Sequence, residues 1–427
     1  MYETGGGETH EPAKRAAGMI TRAVLDVPRV GAEGRVGWTR RLATLAIGFV
    51  VLGWSAASHA APASDDLRRI AAMEVGLKPA GAAAGARRLS DRMAELKVPG
   101  VSLAYFKDGR LHWTRTYGVA DVAHPTPISP ETRFQAASLT KPLAATVALR
   151  LVEAGALQLD EDVEPRLVSW KMPASELTRD EKVTLRRLLS HTAGLSVSGF
   201  PGYAQSAVLP NPVQVLSGAP PAITPPVVPL TTPGTKWSYS GGGYQVAELL
   251  MDDVTGTPFA RLADRHVLGP AGMKLSSLEQ PLPARLASKA ATGHNFNGAP
   301  LAGRWHVYPE LASAGLWTTP SDYARFMIGL QNAYAGRGPA LVNRASARAM
   351  MTPVLNGYGL GWNLVPRGKT ASFEHRGGNA GFQSYAAGLL DGSRQGFVIM
   401  TNGDRGMILV NEIADALAAA YDWPARR

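Results

Sequence analysis

The apolar positions change period along the chain. Between Ala86 and Lys97 they recur as Leu89, Met93 and Leu96, one face of a helix. VPGVSLAYF, the pair Asp108-Gly109 and RLHWTRTYGVAD then predict a β-hairpin. FQAASLTKPLAATVALRLVEAG returns to helical spacing, with Leu143, Val147 and Leu151 four apart, Pro142 near the start and Gly155 as a stop.

A further helical segment is expected to end within LRRLLSHTAGL, Leu185 to Leu195. Nine prolines between Pro201 and Pro233 rule against a continuous helix or central strand there and predict an ordered surface loop or cleft wall. GTKWSYSGGGYQVAELLMDDV turns back to helix, with Val246, Leu249 and Leu250 on its apolar face. Leu316–Leu330 predicts another helix, starting after a cap at Ser321. From Thr370 to Gly403 short apolar runs alternate with glycine-bearing turns, as antiparallel strands do, and Leu409, Ile413, Leu417 and Tyr421 then mark a final helix. Strand-like sequence thus sits at both ends and helices fill the middle. If the two ends pair in one sheet, the middle, roughly residues 138–330, is a helical subdomain leaning against it.

The first sixty residues read differently. Arg40 and Arg41 precede the apolar run LATLAIGFVVLGW and the small-residue stretch SAASHAAPA follows it, which is the layout of a secretory signal with cleavage between Ala60 and Ala61. The run falls short of the roughly 20 residues of a membrane span, so an uncleaved anchor is the second reading and the only route to membrane association. The expected organisation is a signal with an extended polar lead over 1–60, a linker over 61–85 and one catalytic domain over 86–425, in a periplasmic or secreted protein.

Composition narrows the chemistry. The net charge of +10 comes from Lys and Arg scattered among Asp and Glu, with no basic tract, so no nucleic-acid partner is expected. The chain has no cysteine, which removes thiol catalysis and disulfides, and its nine histidines form no His-Glu-x-x-His run. No metal or other cofactor is expected, and a hydroxyl is the remaining nucleophile.

Ser138 and Lys141 stand three apart at the start of a predicted helix, where such side chains share a face with Cβ atoms about 5–6 Å apart. A desolvated lysine can take the proton of a serine hydroxyl. On spacing alone, the stronger reading of Ser138 is a helix cap. The rest of the chain decides between the two. Ser138-Leu139-Thr140-Lys141, Tyr239-Ser240-Gly241 and His375-Arg376-Gly377 follow one another within the flanks FQAASLTKP, LLSHTAGL, PGTKWSYSGGGY, SAGLWTTPSDYARF, YGLGW and HRGGNAGF. In this order they resemble the superfamily of class C serine beta-lactamases, DD-peptidases and related esterases over residues 86–421.

The resemblance implies an α+β fold in which an antiparallel sheet flanked by helices stands beside a mostly helical domain, with the active site between them. It makes Ser138 the acylated nucleophile, Lys141 its activator and Tyr239, as phenolate or through a proton shared with Lys141, the general base, a role that requires adjacent positive charge from Lys141 and His375. It makes the N–H groups of Ser138 and Gly378 the oxyanion hole, and Gly241, Arg376 and Gly377 substrate contacts. His191 corresponds to a structural turn, bonded to backbone groups. Tyr203, Tyr244, Trp317, Tyr323, Tyr358 and Trp362 are candidate apolar contacts that read individually as core.

Two motif positions depart from the best-known members. Gly241 replaces an asparagine that hydrogen-bonds substrate and lysine, and His375 replaces a lysine whose permanent charge would hold a substrate carboxylate. The expectation is therefore an exported serine hydrolase acting on small ester, amide or D-amino-acid peptide substrates. A D-alanyl-D-alanine carboxypeptidase or class C beta-lactamase is the alternative within the family, and a catalytically silent cell-envelope binding or regulatory protein the alternative outside enzymology.

Overall fold

A computed structural model describes residues 63–79, 85–338 and 340–425. The apolar run Leu42–Trp54 and the expected cleavage site lie outside the described residues. Asp108 and Gly109, at φ of 53° and 75°, turn the chain between β1 (Gly100–Lys107) and β2 (Arg110–Gly118), the tight two-residue connection that an Asp-Gly pair favours. Two short strands follow far apart in sequence, β3 (Phe134–Gln135) and β4 (Trp317–Thr318), and pair with each other. The C-terminal strands are β5 (Asn363–Arg367), β6 (Thr370–Asn379), β7 (Phe382–Leu389) and β8 (Gly396–Thr401). β8 lies antiparallel to β1, so the two ends of the domain close one six-stranded sheet in the order β2-β1-β8-β7-β6-β5.

Side-chain alternation gives the sheet two buried faces. Leu103, Tyr105, Tyr385, Phe397 and Ile399 point to one side, where the C-terminal helix Gly406–Ala420 covers them with Leu409, Ile413 and Leu417. Ala104, Phe106, Ala386, Val398 and Met400 point to the other, against the core that contains the helix Pro320–Ala335 and the helical middle of the chain. The catalytic-domain expectation of an antiparallel sheet with flanking helices holds.

Two local expectations do not. Residues 61–85, read as a linker, contain α1 (Ser64–Val75), whose Ile70 and Met73 are buried in the cluster under the C-terminal helix. Their spacing of three, continued at Leu77, is an apolar stripe hidden in a stretch rich in alanine and charge. The helix expected to start after Ser321 is instead capped by Thr319, whose side chain accepts from the Asp322 N–H at 3.2 Å. Pro320 takes the first helical position, where its missing N–H leaves nothing unsatisfied.

Between α2 (Leu89–Glu95) and the sheet's return lie α3 (Thr140–Glu153), α4 (Leu185–Leu189), α5 (Pro212–Ser217) and α6 (Gly241–Thr255). α5 interrupts the proline-rich stretch, started by a capping box of Asn211 and Gln214. Bridges Leu195–Pro229 and Tyr203–Val307 pin that stretch to the body.

What positions the site is an interruption in the sheet. β5 pairs with β6 only up to Asn363–Glu374, and the remainder of β6 runs beside the turn Ala137–Leu139. Gly377 makes the close approach possible, since a Cβ there would lie 2.2 Å from the Ala136 carbonyl oxygen and 2.4 Å from Ser384 Oγ. Gly377→Ala must therefore push the strand from the turn. We expect a loss of about 1–3 kcal/mol in urea unfolding; an unchanged midpoint would show that the two segments are not in tight contact.

Candidate active site

Ser138 sits in a single 3₁₀ turn, Ala137–Leu139, that runs directly into α3. The turn is held from several sides. Ala136 N–H donates to the Leu316 carbonyl at 2.8 Å, continuing the β3–β4 pairing, and Ser384 Oγ donates to the Ala136 carbonyl at 2.8 Å. Thr140 Oγ1 donates to the Ala137 carbonyl at 2.6 Å, and Tyr323 donates to the Leu139 carbonyl at 2.8 Å. Ala137 is at φ 50°, a left-handed conformation that a non-glycine residue holds only when its surroundings enforce it. The result is a half-buried Ser138 at the helix entrance.

Lys141 lies one turn on, with 1% of its surface exposed. Its Nζ donates to Ser138 Oγ, to the Ser313 carbonyl and to Ser313 Oγ, each at 3.0 Å. The same nitrogen is 4.9 Å from the centre of the Tyr239 ring and 5.7 Å from that of Tyr244. Burial disfavours the ammonium and brings the Lys141 pKa down to about 7. A serine hydroxyl thus faces an amine that is part-neutral at neutral pH.

Tyr239 is placed by its two neighbours. Ser238 N–H donates to the His191 carbonyl at 2.8 Å, and Ser240 N–H donates to His191 Nδ1 at 3.1 Å. The His191 ring lies 4.2 Å from that of Tyr239, so the expected backbone-bonding histidine also forms the floor under the phenol. Burial raises the Tyr239 pKa and hydrogen bonding with Ser138 partly opposes it. The resting side chain is a neutral phenol, which corrects the phenolate form of the expectation and leaves the form in which a proton is shared with Lys141.

His375 does not supply the positive charge expected of it. Burial, followed by the nearby Lys141 charge, pushes its pKa down to about 3. Its Nδ1 is 2.7 Å from the Arg376 carbonyl, which can only accept, so Nδ1 carries the proton and Nε2 accepts from the Tyr358 hydroxyl at 3.0 Å. The neutral ring stands 6.3 Å from that of Tyr239, with both nitrogens engaged. It shapes the wall of the site.

Arg376 is corrected outright. It alternates with His375 and projects to the face of the sheet under the C-terminal helix, where its guanidinium bonds Asn411 at 3.2 Å and stands 4.9 Å from the Tyr385 ring. Gly241 is buried at the start of α6, and the space where a side chain would begin is bounded by Ser313 Oγ and Phe200, both at 3.0 Å. Its surroundings are those of a packing position. A Cβ on Gly377 would come within 3.1 Å of the Ser138 nitrogen, so glycine keeps that N–H open, and the exposed Gly378 follows it along the strand.

The six candidate aromatics are all buried. Tyr358 adds the hydrogen bond to His375, a role its sequence context did not reveal. Ser313, which meets Lys141 through both its carbonyl and its hydroxyl, lies in the flank SAGLWTTPSDYARF, where no motif marks it.

The beta-lactamase family model matches residues 86–421, and the chain belongs to that family. It is 26% identical over 393 residues to the Unguisins hydrolase ungD of Aspergillus violaceofuscus, covering 79% of this chain and 66%, just under two thirds, of that protein. It is 27% identical over 331 residues to penicillin-binding protein 4 of Amycolatopsis lactamdurans, covering 72% of this chain and 82% of that one. Among solved structures, the penicillin-binding protein homologue of Pyrococcus abyssi superposes with a TM-score of 0.65 at 23% identity, covering 78% of this chain and 76% of that one. The D-amino acid amidase of Ochrobactrum anthropi superposes at 0.64 with 22% identity, covering 83% and 98%. These likenesses support the fold described above.

The Tyr358–His375 bond gives a direct check. Tyr358→Phe leaves a buried imidazole acceptor without its donor, which should cost about 1–3 kcal/mol of stability. A thermal midpoint equal to that of the unsubstituted protein would contradict this assignment.

Proposed function

We propose that this member of the beta-lactamase family is an exported serine hydrolase that forms an acyl-enzyme at Ser138 and cleaves ester or amide bonds of small substrates outside the cytoplasm. One observation carries the proposal: a buried lysine with its pKa brought down to about 7 is hydrogen-bonded to a half-exposed serine at a helix entrance. Neutral Lys141 accepts the Ser138 proton as Oγ bonds to the substrate carbonyl carbon. Charge develops on the carbonyl oxygen, to which the N–H groups of Ser138 and Gly378 donate. As the carbon–heteroatom bond breaks, the leaving group takes a proton from Tyr239, which regains one from Lys141. Water then attacks the acyl carbon, passing its proton to the same pair, and the acid departs as Ser138 is reprotonated.

The walls of the site favour neutral acyl donors. A carboxylate beside the scissile bond, as in a beta-lactam or a terminal D-Ala-D-Ala, needs a cation at the third motif. There His375 is held neutral and Arg376 is engaged with Asn411 on the opposite face. Gly241 provides no amide to grip an acyl-side peptide bond. Esters and amides without a carboxylate on the leaving side are the substrates this arrangement fits best. Nucleic acid and cofactors have no part in the proposed chemistry.

The protonated ammonium cannot act as a base, so activity is absent well below the Lys141 pKa and present above it. For p-nitrophenyl butyrate we expect kcat/KM to climb about tenfold per pH unit up to about pH 7 and then level off. Lys141→Arg, which stays charged, should lose at least about a hundredfold. A flat profile from pH 5 to 9, or faster turnover of nitrocefin and D-Ala-D-Ala peptides than of the ester, would overturn the assignment of base or substrate class respectively.

A further inference from the structure

We propose that Ser313 is the positioning residue of Lys141, and that its hydroxyl does this only because position 241 is glycine. The inference rests on the reading of Lys141 as the base. The ammonium has three N–H groups and three oxygens around it: Ser138 Oγ, the Ser313 carbonyl and Ser313 Oγ. When the amine is neutral, two N–H groups and a lone pair remain. The Ser313 carbonyl can only accept, so it always takes one N–H. With Ser313 Oγ accepting the second, the lone pair is left pointing at the Ser138 hydroxyl. One residue thereby fixes the direction of proton transfer.

Position 241 is the other half of the device. A Cβ at Gly241 would lie 3.0 Å from Ser313 Oγ and 3.0 Å from Phe200, closer than ordinary contact. The second motif of the related enzymes has an asparagine here, whose amide reaches the lysine. In this chain the amide is missing and a hydroxyl from a distant segment stands in its direction. Ser313 is 1% exposed and rigidly delivered. It belongs to the turn Leu311–Ala314, whose Ala312 N–H donates to Glu248 at 2.7 Å. The turn leads straight into β4, already paired with β3 next to the nucleophile. The sequence departure at Gly241 is thus compensated in space and carries no loss of lysine coordination.

The test reads the lysine itself as well as catalysis. In protein labelled with ¹³C-lysine, the Lys141 Cε signal, assigned by its loss in Lys141→Arg, is titrated with and without Ser313→Ala. An oxygen that accepts from the ammonium favours the charged form, so its removal should move the Lys141 midpoint to lower pH by about one unit. The plateau of Ser138 acylation by a fluorophosphonate should fall about tenfold or more, since the base is no longer oriented. Gly241→Ala, which leaves Ser313 in place but crowds its hydroxyl, should reproduce the slower acylation and should add little in the Ser313→Ala background. A folded Ser313→Ala protein with unchanged midpoint and acylation within twofold of the parent would overturn the proposal, as would fully additive effects of the two substitutions. If Ser138 is acylated in neither protein, the hydrolase reading fails, while the lysine titration still decides the role of Ser313.

Discussion

The structure is organised around the burial of one ammonium group. A lysine nitrogen enclosed with 1% exposure is tolerable only when oxygens meet its N–H groups or when it gives up its proton. Both happen at Lys141. Its three acceptors come from two segments far apart in the chain, Ser138 on the turn before α3 and Ser313 on the turn before β4. The aromatic faces of Tyr239 and Tyr244 close the remaining sides. Burial weakens the charge and brings the pKa down to about 7, which is the property acyl transfer requires of a base.

The sheet supplies the rest. Because β5 stops pairing at Glu374, the second half of β6 lies along the turn that carries Ser138. Gly377 lets it approach, Asn379 donates to Gln135 at 2.8 Å, and Ser384 from β7 donates to Ala136. The strain at Ala137 is therefore held by groups from three strands and by Thr140 and Tyr323 from two helices. On the opposite face, Arg376 and the buried Glu374–Arg367 pair, 2.9 Å apart, belong to the framework under the C-terminal helix. The alternation of a single strand separates chemistry from scaffold.

Much of this was legible in the chain. The hairpin at Asp108-Gly109, the strands after Thr370 and the convergence of Ser138, Lys141 and Tyr239 follow from local period and ordered motifs. What stayed hidden has a common cause. α1 was masked because its apolar stripe is only Ile70, Met73 and Leu77 among alanines and charges. Ser313 could not be tied to Lys141 because 172 positions separate them and no pattern announces a contact made through the β3–β4 ribbon. The neutral state of His375 is a property of burial, and a sequence gives residue type before it gives solvent exposure. Arg376 illustrates the same limit, since a strand neighbour's direction depends on which face the sheet covers.

The central claim is that Ser138 is a nucleophile activated by Lys141. Intact mass spectrometry after brief incubation with a fluorophosphonate at pH 8, followed by peptide mapping, tests it most directly. The account predicts a single phosphonyl adduct on the peptide containing Ser138, absent in Ser138→Ala. An adduct that persists in Ser138→Ala, or folded protein that remains unmodified, would contradict it.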